Sequence, residues 1–240
     1  MAKPFQEWTV LPHGKLSRVD DDLLSVTGEI HMPLGDIPRR MTVARLNDGR
    51  LVIFSAIALD EGEMRQLEAF GTPAYLIVPS DIHRMDAKIW KDRYPQLRVV
   101  APAGVRTKVE EIVPVDLTAV DFGDPNVQFV PVPGTEEHEA ALVVKRPSGT
   151  TLVVNDLIWN VNDRPGFGGW LFRVLGFTGN EPRIPTVVEL RAIKDKPALR
   201  AQLQSWAHLP QLKRIIVSHG QIVTRDPAAV LGSLADDLAA

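Results

Sequence analysis

Ala74-Tyr-Leu-Ile-Val-Pro-Ser-Asp81-Ile-His83-Arg-Met85-Asp86 is an apolar run that empties into a cluster of metal-ligand side chains. Ala74 to Val78 reads as a short buried strand. Pro79 ends it, and Asp81, His83 and Asp86 then fall within six residues. A helix-like stretch from Ala87 to Tyr94 follows. Potential ligands on a loop leaving a buried strand make an economical site, because the strand fixes the loop while the loop stays accessible.

Working outward, the flanking chain alternates strand and helix patterns. Leu23 to Ile30 reads as a strand. Met41–Leu46 and Leu51–Ser55 form a hairpin around Asn47-Asp48-Gly49, since Asp-Gly supplies the positive φ angles of a tight turn. Asp60 to Phe70 is an amphipathic helix capped by Asp60, with Met64, Leu67 and Phe70 on one face. Leu97–Ala101 is a further strand and Gly104–Ile112 a short helix. In the second half, Val127–Pro131, Ala140–Lys145, Thr151–Val154 and Arg214–Val217 are strands. Val187–Ala207 is helical, with Pro197 marking a kink or restart, and Pro227–Leu238 is a terminal helix with proline in its first turn. Hairpins followed by mixed units predict two packed sheets covered by helices.

Composition bounds the function. At 240 residues the chain reads as one domain spanning 1–240, long enough to bury a substantial core. A formal net charge of −3 argues against nucleic acid as a partner, which calls for a basic surface. With no cysteine there is no disulfide, thiolate ligand or cysteine nucleophile. No long apolar segment follows Met1–Trp8 and no stretch approaches the ~20 apolar residues that span a bilayer. No signal peptide or membrane association is therefore expected, and the default location is cytoplasmic. No phosphate-cradling glycine motif or nucleophile elbow is present.

Four polar points follow apolar strands: Asp81/His83/Asp86, Glu136-Glu137-His138, Asn155-Asp156 and Ser218-His219-Gly220. A lone histidine beside a strand is usually a hydrogen-bonded structural residue, and a strand-end aspartate is often a cap. His13, His31 and His208, which lack supporting neighbours, read that way. Four such points, all at strand ends, read as a site.

In order and spacing these points resemble the metallo-β-lactamase superfamily, in which a strand leads into H-x-H-x-D-H and is followed by a G-H loop, a strand ending in G-D and a late S-H-G. Here Asp81-Ile-His83-Arg-Met85-Asp86 occupies the first motif, Pro133-Gly134-Thr135 the G-H loop, Asn155-Asp156 the G-D step, and Ser218-His219-Gly220 the last. The likeness runs from about Leu23 to the end, with Ser55-Ala56-Ile57 where the family has D-T-G. It is most similar to a divergent subgroup of unassigned function. The resemblance implies an α/β fold, a four-layer αββα sandwich, with one metal on the first two motif histidines and the loop histidine. A second metal takes the motif Asp–His pair and the late histidine, and the strand-end aspartate bridges both.

Several ligand positions differ. Asp81, Met85 and Asp86 stand where the motif has His, Asp and His, and Thr135 replaces the loop histidine; His83, Asp156 and His219 are unchanged. Met85 offers only a soft thioether. The resemblance therefore implies one divalent metal (Zn, Mn or Fe) drawn from Asp81, His83, Asp86, His138, Asp156 and His219, with Glu136 as another substitute for the loop histidine. Asp156 and Asp86 are the expected catalytic carboxylates, Asp86 as general base in place of the motif aspartate. The function this predicts is a metal-dependent hydrolase of small esters, thioesters or phosphoesters with a mononuclear site. The alternatives are a non-catalytic relic that binds a ligand or partner, and an oligomeric scaffold. Between Leu157 and Phe177 lie Trp159, Phe167, Trp170, Phe172 and Phe177. They read as a core-packing helix over Gly169–Leu175, and otherwise as a wall over the pocket or a contact between chains.

Overall fold

Period-two alternation along the strands sorts their apolar residues onto two faces, and that sorting builds the layers. The computed structural model describes residues 3–32, 35–163 and 165–239, apart from the side chains of Met32 and Phe167. The Phe167 ring of the aromatic stretch therefore lies outside the described residues.

One sheet runs in the order β1 (Ser17–Asp20), β2 (Leu23–Met32), β3 (Gly35–Arg45), β4 (Arg50–Phe54), β5 (Thr72–Ile77) and β6 (Arg98–Val100). Its pairs are antiparallel as far as β4 and parallel beyond. The other comprises β7 (Val127–Pro131), β8 (Ala140–Arg146), β9 (Gly149–Asn160) and β10 (Leu212–Gly220), ordered β10-β9-β8-β7 with β9 and β10 parallel. Met41, Val43, Leu51, Ile53 and Leu76 face outward from the first sheet and meet Met64 and Leu67 of α1 (Glu61–Phe70) and Trp90 of α2 (Ala87–Arg93). Val109 of α3 (Arg106–Glu110) joins the same cluster. The alternate residues Val52, Phe54, Tyr75 and Ile77 face the second sheet and pack with Phe129, Leu142, Val153 and Ile216.

The second sheet repeats this logic. Its outer residues Val143, Leu152, Ile215 and Val217 are covered by Leu199, Leu203 and Trp206 of α6 (Lys196–Ala207) and by Leu231 and Leu234 of α7 (Pro227–Asp237). Two further helices, α4 (Gly166–Val174) and α5 (Thr186–Ala192), connect β9 to α6. The result is the expected four-layer αββα sandwich.

Local chemistry sets the element ends. Asp60 caps α1 by accepting from the Glu63 amide at 3.0 Å. The helical pattern from Val187 is two helices rather than one: Asp195 caps the second by accepting from the Ala198 amide, and Pro197 falls in its first turn. Pro197 is thus a restart. Among the described residues, no helix is long and apolar enough to cross a membrane.

Arg40 of β3 ties the sheets together where they approach β10. Its guanidinium donates to the Val217 carbonyl at 3.1 Å and the Gly220 carbonyl at 2.7 Å. These acceptors bracket His219.

Candidate metal centre

His83 sits in the loop after β5, held from three sides. The Val78 amide donates to Val100 at 2.8 Å, and the Ala140 amide reaches across to the Pro79 carbonyl at 3.0 Å. Ser55, at the end of β4, places its hydroxyl 2.8 Å from His83 Nδ1. Ser55 does so from φ +56°, a conformation that costs a non-glycine residue energy and that clusters at functional sites.

Asp156 and His219 come from the parallel pair β9 and β10, at a break in its register. Val217 pairs with Val154, but His219 pairs with Trp159, so residues 155–158 of β9 stand opposite Ser218. An irregularity of this kind re-aims side chains. The expectation was that these residues lie just past strand ends. They lie within strands instead, because β9 resumes pairing beyond the break.

The three side chains converge. Asp156 Oδ1 is 3.1 Å from His83 Nε2 and 2.9 Å from His219 Nε2, and the two imidazole nitrogens are 3.1 Å apart. His219 Nδ1 lies 2.6 Å from the Pro38 carbonyl and must donate to it, so in the neutral ring Nε2 presents a lone pair. A proton on that nitrogen would make it a donor toward the carboxylate; without one, the three donor atoms are placed so that they could hold a cation. Donors on a tetrahedral zinc stand roughly 3.3 Å apart at bonds of about 2.0–2.1 Å, close to the observed spacing. The outer contacts also suit a metal site, since ligating histidines commonly direct their second nitrogen at a carbonyl or hydroxyl.

Without a metal, the imidazoles themselves supply positive charge. Burial alone would raise the Asp156 carboxyl, but His83 and His219 hold it far below the usual range. Its second oxygen accepts from Asn155 Nδ2 at 3.1 Å, and Asn155 is fixed in turn by the Ser218 hydroxyl at 2.9 Å. Ser218 therefore braces the site. Trp159 stacks on His219 with ring centres 4.0 Å apart and an interplanar angle of 24°.

The other expected ligands are placed differently. Among the described residues, His83, Asp156 and His219 are the group whose donor atoms lie together. Asp81 pairs with Arg191 of α5 at 2.7 Å. His138 Nδ1 lies 3.0 Å from the Thr135 carbonyl. Both nevertheless line a cavity of about 200 Å³ shared with Asp156, Trp159 and Phe177. Glu136 is exposed. Asp86, expected as ligand and general base, is buried with one oxygen on the Arg39 guanidinium and the other accepting from the Ala58 amide at 2.9 Å. An unpaired carboxylate at that depth is costly, so it takes the nearby cation and amide in place of a metal. Thr135, at the loop-histidine position, donates to the Val132 carbonyl at 2.7 Å.

Gly134 has a local reason of its own. At φ +82° its missing Cβ would come within 2.4 Å of the Asp195 carbonyl, and its own carbonyl accepts from the Lys194 and Asp195 amides. His13 and His208 make backbone hydrogen bonds, the role expected of them.

Glu139 was not singled out by the sequence, although a charged residue abutting the apolar run Ala140–Val144 was the available signal. It is 4% exposed, with one carboxylate oxygen lacking a partner among the described residues. Burial, and then the adjacent Asp156 charge, push its carboxyl well above the ordinary range.

No protein-family model and no curated protein matches the sequence. Solved structures do match it. The metallo-β-lactamase FIM-1 from Pseudomonas aeruginosa in its mono-zinc form is 13% identical, with a TM-score of 0.61 over 95% of this chain and 96% of that one. A metallo-β-lactamase from Erythrobacter litoralis is also 13% identical, with a TM-score of 0.62 over 92% and 96%. One from Hirschia baltica is 12% identical, at 0.60 over 93% and 98%. The chain has the metallo-β-lactamase fold.

Proposed function

We propose that the protein is a metal-dependent hydrolase with one metal ion per chain, held by His83, Asp156 and His219, acting on a small ester, thioester or phosphoester. The convergence of the His219 lone pair, His83 Nε2 and Asp156 Oδ1 within 3.1 Å of one another carries this reading. Three protein ligands leave a position open, as catalytic sites do. A divalent metal held by these three residues would supply Lewis acidity, lowering the pKa of water to about 7 and polarising an acyl or phosphoryl oxygen.

The protein's own groups do the rest. Trp159, Phe177 and Val187 wall the 200 Å³ cavity beside Asp156, which seats an apolar substrate group and excludes water. Ser55 and the Pro38 carbonyl orient the two imidazoles. Glu139, whose carboxyl is held well above the ordinary range and has one oxygen without a partner among the described residues, lines the same cavity and is placed to give a proton to a departing alkoxide or thiolate.

The relic reading draws on the engagement of Asp86 by Arg39 and of Thr135 by Val132, at two positions where the resemblance places ligands. An ester, thioester and phosphodiester panel with added Zn²⁺ or Mn²⁺ separates the two. Hydrolysis that is lost on chelation and in Asp156→Ala supports the hydrolase. Activity indifferent to both contradicts the metal mechanism, and activity appearing only in Met85→Asp favours the relic.

A further inference from the structure

Asp156 meets the candidate centre with one oxygen and has the other occupied. Oδ1 is the atom beside the imidazoles, 3.1 Å from His83 Nε2 and 2.9 Å from His219 Nε2. Oδ2 accepts from Asn155 Nδ2 at 3.1 Å and, more distantly, from the Ser80 hydroxyl at 3.4 Å. Ser80 Oγ in turn accepts from Asn155 Nδ2 at 3.1 Å, so the two donors support each other. Consecutive residues of a regular strand point to opposite faces, but Asn155 and Asp156 lie in the register break of β9, and there their side chains meet. Asn155 also stands where the resemblance has the glycine of the G-D step, which carries no side chain to offer Oδ2.

The Asn155 amide has one usable orientation. Its carbonyl accepts from the Ser218 hydroxyl at 2.9 Å, and turning it over would set an amide oxygen against a carboxylate oxygen, two acceptors with no hydrogen between them. Ser80, Asn155, Asp156 and Ser218 are all buried, where such bonds are strengthened. Ser218 precedes His219 on β10, so the relay runs from one candidate ligand to the strand that carries another.

The number of oxygens a carboxylate gives decides the coordination number. Larger, oxygen-loving cations often take both oxygens of a carboxylate. Ligation through Oδ1 alone, with two imidazoles, leaves the four-coordinate arrangement with one open position that suits zinc. For Asp156 to chelate through both oxygens, Oδ2 must give up both donors and strand them inside the fold.

We infer that Asn155 is a positioning residue: it confines Asp156 to single-oxygen ligation and thereby holds the metal at four coordination. This rests on the metal centre proposed above and not on hydrolysis.

Cobalt(II) is the probe, added to the full chain and read by visible absorption, which is intense for a four-coordinate ion and weak for a six-coordinate one. Competition titrations give the Zn²⁺ and Mn²⁺ affinities alongside. The parent should show the intense bands. Any nitrogen and oxygen donor set prefers zinc to manganese, so the change on substitution is the diagnostic quantity. Asn155→Ala frees Oδ2; the cobalt bands should weaken toward the six-coordinate level, and the preference for zinc should fall roughly tenfold. A residue that only supports the fold would weaken both metals alike and leave the spectrum of bound cobalt unchanged. Should Asn155→Ala fail to fold, Ser80→Ala removes the lesser donor and should move both readouts in the same direction. Six-coordinate bands in the parent, or parental bands and parental zinc preference in the folded variant, overturn the inference alone. A parent that binds no cobalt overturns it together with the metal centre. A protein that shows these shifts yet hydrolyses nothing keeps the role of Asn155 and loses the hydrolase.

Discussion

Asp86 forms a buried ion pair with Arg39 beside His83, and this pair accounts for the fate of the last position of the first motif. A carboxylate facing a fixed guanidinium is already neutralised. It neither needs nor attracts a second metal, and its oxygens are not available to a nucleophilic water.

Asp86→Ala should therefore cost stability and leave metal content alone. Removing one partner of a buried pair typically costs 3–5 kcal/mol, because the other charge is left uncompensated. Chemical denaturation should show a loss of about that size, with metal retained. A loss of metal with no change in stability would return Asp86 to the ligand set.

Gly220 fixes the approach of β10 to β9 directly after His219. Its φ is +103°, and an added Cβ would lie 1.9 Å from the Asn160 carbonyl oxygen. Gly220→Ala must move that backbone, at about 1–3 kcal/mol for the strained conformation, and drag His219 from the Pro38 carbonyl. We expect a lowered melting temperature together with at least tenfold weaker metal binding. Unchanged metal affinity would show that the Arg40 clamp alone positions His219.

Glu139 and Asp156 give opposite pH dependences in the metal-free protein. Glu139 has a raised carboxyl in the folded state, so its contribution to stability is complete below the ordinary value of 4.5 and declines as pH rises toward the raised value. Asp156 has a depressed carboxyl, so its contribution is present above the ordinary value of 3.8 and is lost as pH falls through the lowered range. Urea unfolding of Glu139→Gln at roughly pH 5 and pH 8 should therefore show the variant gaining on the parent as pH rises. Equal differences at the two values would mean that Glu139 is ionised in the fold.

Much of this was legible in the sequence because it depends on spacing. The hairpin around Asn47-Asp48-Gly49 and the mixed strand and helix units after it predicted the layers, and His83, Asp156 and His219 were marked by their places after apolar runs. The partners that engage the other candidates were not legible, since contacts between distant segments decide them. Nothing near Asp86 in the chain announces Arg39, and nothing near Asp81 announces Arg191. Glu139 does not stand out in the sequence from its neighbours Glu136 and His138, because burial rather than charge singles it out. In the sequence Trp159 reads chiefly as core. It does pack with Phe177, at 4.7 Å between ring centres, but its other contact is His219, which only the register break between β9 and β10 creates.

Metal content tests the central claim most directly. Protein purified without chelator or metal-affinity resin, equilibrated with Zn²⁺ and dialysed, should retain one equivalent by elemental analysis. His83→Ala and Asp156→Ala should each retain none while keeping the circular dichroism spectrum of the parent. Two tightly held equivalents in the parent, or one retained in Asp156→Ala, would contradict a single metal centred on His83, Asp156 and His219.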